Sequence, residues 1–502
     1  MARSVREIFD PAVMAESLAA GSPGQSSSKD KPRYAGEKMS FTRRSFLVGA
    51  GSGLTLLAVA ACTTDTPTPQ PTATIPATNG VPAPARMVRS AWSADKYALG
   101  THSFTAVGAS PQSREALTES LLDRVYFAGE ATDVNNPATV LGARASAMRV
   151  VASVRLSAEP GDKIAVIGAG AAGAEAARAL TADGFDVVLI EARDRVGGRI
   201  HTAVSDNWPV PVEFGAWLLR EESDASIIGR LASADLGAAA ITTAVLRSTG
   251  DDAEDLDSNV VGPPALETAI AWATQQSAEP SLAVSLDESG AQQTAAGSPD
   301  GEALLDAYLA GLAIETGADA ADLSSWYVSP EAASLAETRV AVTGGMSAFI
   351  TSALDDVETF LSTTVVGINY DDDSVSLRLG SGESLTVDRA IVTVPLGVLK
   401  SGGIEFDPLL PFTHRAAIAD LGFGAVETVW LRFDEPFWTT DATAWTLLGT
   451  DDVVTQWINL LPITGEAILV GFVGGERAAA FAELDDTALT QAAMAALAPF
   501  VG

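Results

Sequence analysis

Lys163-Ile-Ala-Val-Ile-Gly-Ala-Gly-Ala-Ala-Gly173 is the stretch on which the fold turns. Ile164–Ile167 is a short apolar run of the kind that forms a strand buried on both faces of a parallel sheet. Gly168, Gly170 and Gly173 follow at G-x-G-x-x-G spacing, and the alanine-rich run Ala171–Leu180 favours a helix. Gly168 permits a tight turn. Gly170, with Ala171 and Ala172 behind it, lets backbone approach a pyrophosphate at the helix N-terminus, and Gly173 lets the helix pack closely on the strand. Val187–Ile190 reads as the second strand, and Glu191 stands 18 residues after Gly173, where a carboxylate accepts hydrogen bonds from ribose hydroxyls. Strand, glycine turn, helix, strand and carboxylate in that order predict an α/β dinucleotide-binding domain. The glycines do not separate a nicotinamide from a flavin dinucleotide.

The residues that follow do. Ala192-Arg-Asp-Arg-Val-Gly-Gly-Arg199 resembles the second signature of the glutathione-reductase-like flavoproteins, the flavin-containing amine oxidases of monoamine and polyamine type above all. The resemblance implies that Gly197 and Gly198 bring amides to the FAD pyrophosphate and that Arg199 adds charge-assisted contacts. Arg193 is either a cofactor contact or a surface ion pair. Glu213-Phe-Gly-Ala-Trp217 is similar to the segment that runs past the flavin, which brings in Gly215, Ala216 and Trp217.

A third piece stands out of place. Phe127-Ala-Gly-Glu130 resembles the strand and turn that close the family's chains, with Gly129 and Glu130 at the ribitol or pyrophosphate. Pro137-Ala-Thr-Val140 then opens a helix whose amides at Ala138, Thr139 and Val140 face the flavin pyrimidine carbonyl, donors that favour the anionic reduced ring. Trp92–Tyr97 and Gly100–Ser103 match the approach to that strand. Some relatives carry a flavin-linked cysteine near Gly100–Ser103. None is present here, so noncovalent FAD is expected, with a reservation for His102. In the family this block follows Val340–Met346, Ala390–Lys400, Phe433–Trp438 and Ile468–Gly474; here it precedes the glycine turn. The resemblance therefore implies a circularly permuted order, joined across Leu156–Asp162, a length of roughly 20–25 Å when extended. The alternative is that this block completes a neighbouring molecule by domain exchange.

The implied architecture is α/β: a Rossmann-like, glutathione-reductase-type FAD domain with an α+β substrate domain. The expected order is an extension and signal at 1–62, a Thr/Pro/Ala-rich linker at 63–85, and FAD-binding pieces at 86–217 and 336–400. The helical part of the substrate domain is expected at 218–335 and its strands at 401–502. Within it Thr274–Asp300 reads as a loop and Leu304–Glu315 as an amphipathic helix.

The implied chemistry is oxidation of a C–N bond. A neutral amine places its α-carbon against flavin N5 and transfers a hydride, water hydrolyses the imine, and oxygen takes the electrons as peroxide; the alternatives are a flavin dehydrogenase or desaturase with an acceptor other than oxygen, and an FAD-binding cell-envelope protein without oxidase turnover. Two positions depart from the family pattern. Thr428 stands where a lysine commonly lies near N5, and Asn136 stands where an aromatic residue commonly flanks the amine. Trp217, Trp326 and Trp457 are candidates to replace that ring, and Arg220 and Arg144 are candidates for binding a carboxylate.

Composition narrows the partners. The 502 residues carry 31 Lys and Arg against 64 Asp and Glu, a formal charge of −33. Residues 1–61 hold 8 basic and 5 acidic side chains, +3, which leaves −36 for the rest. Such a surface repels nucleic acid and draws in cations. Three scattered histidines and one cysteine exclude an intramolecular disulfide and give no metal-ligand spacing. Ser40–Leu47 carries the pair Arg43-Arg44, and an apolar run to Ala61 ends at Cys62. This resembles a twin-arginine export signal with a lipoprotein processing site, which implies lipid attachment at Cys62 and a position on the outer face of the cytoplasmic membrane. Met39 is then a natural start.

Overall fold

A computed structural model describes residues 76–248, 260–328, 338–450 and 452–502. The signal segment, Cys62 and most of the linker lie outside the described residues. All that is described belongs to one compact unit that begins at Thr72.

The glycine-turn strand Lys163–Ile167 sits at the centre of a five-stranded parallel sheet. In order the strands are Glu358–Phe360, Asp186–Ile190, Lys163–Ile167, Arg389–Val392 and Val125–Phe127. Successive side chains go to opposite faces. Ile164, Val166, Val187 and Leu189 enter one core, and Ala165, Ile167, Val188 and Ile190 enter another. Two-sided burial explains why these strands read as unbroken apolar runs. On the first face the helices Val140–Ser157 and Ala171–Ala182 pack against each other, through Ala147, Val150 and Val151 on one side and Ala172, Ala176 and Ala177 on the other. The second face is covered by a four-stranded sheet (Val365–Tyr370, Val375–Leu379, Ser384–Val387, Glu405–Asp407) and the helix Phe412–Asp420.

Between Ser157 and Lys163 the chain passes directly from the end of one helix into the central strand. Arg389 holds this passage: its guanidinium donates to Asp162 at 2.5 Å and to the Ser157 carbonyl. The Val125–Phe127 strand pairs in parallel with Arg389–Val392 of the same chain.

A second sheet has six strands, in the order Arg86–Arg89, Val426–Arg432, Ile468–Gly474, Gln456–Asn459, Ala444–Leu448 and Ala244–Ser248. The helix Gly301–Thr316 crosses it closely, because Gly474 has no side chain; a Cβ there would lie 2.2 Å from the Ala313 carbonyl oxygen.

Several expected boundaries move. Thr274–Asp300 is not a loop throughout: it holds the helices Leu282–Glu288, capped by the Ser281 hydroxyl, and Ala291–Ala296. Buried Leu282, Leu286, Ala291 and Ala295 supply the apolar face that its polar composition hides. The linker ends before residue 85, since Val81 is fully buried and Thr78 and Val81 exchange backbone hydrogen bonds. Arg86–Arg89 belongs to the six-stranded sheet, not to the dinucleotide-binding piece. Residues 218–231 pack the other way: Leu219, Ile227 and Leu231 sit in the dinucleotide-side core. Glu405–Asp407 pairs with Val365–Tyr370, beyond the expected break at 400.

Candidate active site

One cavity of about 630 Å³ runs between the two sheets, within the range of roughly 300–1,000 Å³ usual for small-molecule sites. Gly168, Gly170, Ala171, Ala172, Glu191, Ala192, Arg193, Gly197, Gly198 and Arg199 line it. So do Gly129, Glu130, Asn136, Ala138, Thr139, Val140, Gly215, Ala216, Trp217 and Thr428. The block at 129–140 and the glycine turn at 168–172 thus face the same space.

Local sequence explains each part. Gly168 has φ +105°, a left-handed conformation that a side chain resists. Gly173 does not line the cavity; it holds the helix close, since a Cβ there would be 1.8 Å from the Gly168 carbonyl oxygen. The helix Ala171–Ala182 begins without a side-chain cap, so its first amides and dipole are available to an anion. Glu191 accepts from the amides of Ala169 and Arg193, both at 2.8 Å. Thr139 caps the helix Val140–Ser157, its hydroxyl accepting from the Gly142 amide at 2.9 Å.

Glu130 is heavily engaged. Its carboxylate accepts from the Ser103 hydroxyl (2.6 Å), the Ala138 amide (3.0 Å) and the Arg199 guanidinium (2.9 Å). Arg114, itself buried, donates to the Ser103 hydroxyl at 2.6 Å. Burial pulls the Glu130 pKa up, but Arg199, Ser103 and Arg114 outweigh it and hold the carboxyl below its usual value. Arg193 forms an ion pair with Asp95 at 2.7 Å while still lining the cavity.

The opposite wall is aromatic. Trp217 stacks on Phe472 at 6.3 Å and packs against Trp430 at 5.4 Å. Thr428 is the cross-strand partner of Phe472. Trp457 is a correction: it is buried in the core on the far side of the six-stranded sheet and does not reach the cavity. Trp326 does not line it either, its Nε1 donating to the Ala273 carbonyl at 2.9 Å; the neighbouring Tyr327 does. Arg144 is spent on Glu175 at 3.0 Å, between the two packed helices. Arg220 lines the cavity beside Glu315, which also pairs with Arg339 at 2.7 Å.

Pattern reading misses Arg114, Ser103, Glu315, Arg339 and Phe472. Phe472 lies inside a recognisable strand, Ile468–Gly474, and alternation from that strand would have found it. The others have no local signal, because long-range packing brings them in.

The residues fit a flavin dinucleotide: an uncapped helix start for phosphate, an acidic residue after the second strand, and an aromatic wall for the rest. The sequence profile of flavin containing amine oxidoreductases matches residues 72–155 and 265–502, and that of an NAD(P)-binding Rossmann-like domain matches 166–227. Polyamine oxidase 3 of Oryza sativa subsp. japonica is 30% identical over 359 residues, spanning 66% of this chain and 72% of the relative. Probable polyamine oxidase 4 of Arabidopsis thaliana is 29% identical over 355 residues, 65% and 69% of the two chains. Among solved structures, putrescine oxidase bound to putrescine superposes with a TM-score of 0.54 at 22% identity, covering 68% of this chain and 82% of that one. Cyclohexylamine oxidase from Brevibacterium oxydans IH-35A gives the same score, identity and coverage, which speaks for a shared fold. The chain belongs to the flavin-containing amine oxidoreductase family and takes FAD as its cofactor.

Proposed function

We propose that this protein oxidises an aliphatic amine at the carbon next to nitrogen, with FAD held noncovalently. The observation that carries the reading is the single cavity lined by the glycine turn, the 129–140 block and an aromatic wall. When bound, the flavin supplies the hydride acceptor; the chain binds, orients and keeps water out. Gly168–Ala172, Gly197–Arg199 and Glu130 serve the dinucleotide. Trp217 and Phe472 flank the reacting amine, in place of the ring missing at Asn136. Amines are favoured over amino acids, since Arg144 is engaged elsewhere and Arg220 already faces Glu315. A yellow protein that releases its colour on acid precipitation, bleaches with amines and forms peroxide would support this. A protein that stays colourless when soaked in FAD would end it. Thr428 in the lysine position favours a second reading, a dehydrogenase that passes electrons to an acceptor other than oxygen; bleaching without peroxide would select it.

The order of the pieces is, in our reading, a circular permutation. Three observations support it: the two separated blocks of the family match, the short join pinned by Arg389, and the proximity of Gly80 to Val501, whose side chain a Gly80 Cβ would meet at 3.3 Å. A rearranged gene, with 160–502 placed ahead of 78–157, should yield the same yellow protein; a rearranged chain that does not fold argues against it. We also propose twin-arginine export and lipid attachment at Cys62. Among the described residues no helix is long and apolar enough to cross a membrane. Cys62→Ala should release the protein from the membrane fraction if the anchor is real.

A further inference from the structure

Away from the cavity, three arginines gather on one carboxylate. Glu175, buried on the helix Ala171–Ala182, meets Arg144 Nε at 3.0 Å, Arg178 Nη2 at 2.5 Å and Arg230 Nη1 at 3.7 Å. Arg144 comes from the helix Val140–Ser157 and Arg230 from Ala225–Ser233, so three helices supply the group. Phe349 holds two of the cations in place. Its buried ring lies 5.4 Å from the Arg144 guanidinium carbon and 4.5 Å from that of Arg230, contacts in which the ring face attracts both. None of these five residues lines the cavity.

The group carries more positive charge than it neutralises. Three guanidiniums against one carboxylate leave a surplus of two, in a chain whose 64 acidic side chains outnumber its 31 basic ones. Each guanidinium has five N–H donors and a carboxylate about four acceptor sites. Among the described residues the three side chains find no other acceptor. Arg230 registers the crowding: burial and the neighbouring Arg144 and Arg178 lower its pKa against the pull of Glu175. Arg178 and Arg230 keep 43% and 42% of their side chains exposed, within reach of a ligand from solution. Like charges held this closely repel, and an anion laid across them relieves the repulsion.

We propose that Arg144, Arg178 and Arg230 form a binding site for a phosphate monoester, separate from the site of the dinucleotide. Such an ester carries about 1.5 to 2 negative charges at neutral pH and three acceptor oxygens. Its charge matches the surplus, and its oxygens match the open donors. Planar guanidinium forks take phosphate oxygens in pairs. Glu175 is the organiser: it gathers the cations before the ligand arrives, so little ordering remains to be done on binding. The ester is either free in solution or the headgroup of a phospholipid, and the same chemistry recognises both.

Calorimetric titration of the FAD-loaded protein with glycerol phosphate, at low and constant ionic strength, tests the site. Saturable binding is expected, weakened about 10–100-fold by Arg178→Gln or by Arg230→Gln. Both side chains are half exposed, and the Arg144–Glu175 pair survives either change; the flavin spectrum and the unfolding midpoint check that each variant folds. Arg378→Gln removes one charge elsewhere, from an exposed pair with Glu405, and should leave binding as it was. Vesicles of phosphatidylcholine with and without phosphatidic acid test the lipid source. Phosphatidic acid should retain more of the wild type, and the gain should vanish when Arg178→Gln and Arg230→Gln are combined. Binding of the soluble ester supports the site as such, and binding of vesicles alone assigns it to a headgroup. A wild type that binds neither overturns the proposal. So does binding that survives both substitutions, or an Arg378→Gln variant weakened as much as Arg230→Gln.

Discussion

The two walls of the cavity treat their polar atoms in opposite ways. On the dinucleotide wall the Glu130 carboxylate, Arg199, Arg114 and Ser103 are joined to one another, so little remains for solvent. On the facing side Trp217 Nε1 and Thr428 Oγ1 are buried and have no partner among the described residues. A network satisfied from within is rigid before any ligand arrives, and its charges are fixed where a dinucleotide must lie. Unpartnered atoms cost stability until something binds them. The first wall holds a constant group and the second meets a changing one.

The contrast can be broken most severely at Glu130. Glu130→Ala leaves the buried Arg114 and the half-buried Arg199 without their carboxylate and should destabilise the fold by on the order of 3 kcal/mol. Denaturant unfolding measures this, and the purified variant should hold little FAD.

Glu213, just before the aromatic wall, tests the same principle through pH. It accepts from the Met346 amide and the Thr202 hydroxyl, both at 2.8 Å, but burial outweighs these bonds and pushes its pKa up to about 7. A carboxyl raised from 4.5 to about 7 on folding binds its proton more tightly in the folded state. Its contribution is complete below pH 4.5 and is lost as pH rises through 7. The loss is about 3 kcal/mol at 1.36 kcal/mol per unit. Glu213→Gln should flatten that part of the stability–pH curve, and an unchanged slope would show that Glu213 binds its proton equally well in the folded and unfolded chain.

Gly173→Ala forces the helix away from the glycine turn and should cost about 1–3 kcal/mol, together with FAD content. Thr428→Val sharpens the comparison from the other side. The hydroxyl has no partner to lose, so its removal should stabilise the fold by about 1–3 kcal/mol. Oxygen-dependent reoxidation of the reduced protein, followed by stopped flow, should still differ from wild type. An unchanged rate would remove Thr428 from the chemistry.

Much of the first wall is legible in the sequence because its residues are bound to local backbone geometry. Gly168 must adopt a positive φ, Gly173 must lack a side chain, and Glu191 must follow its strand. Each requirement constrains residue type at a fixed spacing. The second wall is less legible. Trp217 and Trp457 are both buried tryptophans near 1% exposure, yet one faces the cavity and the other the core beneath the sheet. A tryptophan satisfies either environment, so residue type does not choose between them. The helices at 282–296 were hidden in the same way, because their few apolar residues sit among serine, glutamine and alanine and gain their burial from distant helices.

By itself, then, the sequence settled the dinucleotide-binding unit, since short-range backbone sterics and helix-end electrostatics dictate it, while FAD was implied by the resemblance of residues 192–199 and 127–130 to the flavin-containing amine oxidases. Tertiary packing decided the rest. It brought residues 129–140 against the glycine turn, made Glu130 and Arg199 partners and sent Trp457 into a core. Contacts of that kind depend on which surfaces meet, and no spacing along the chain encodes them.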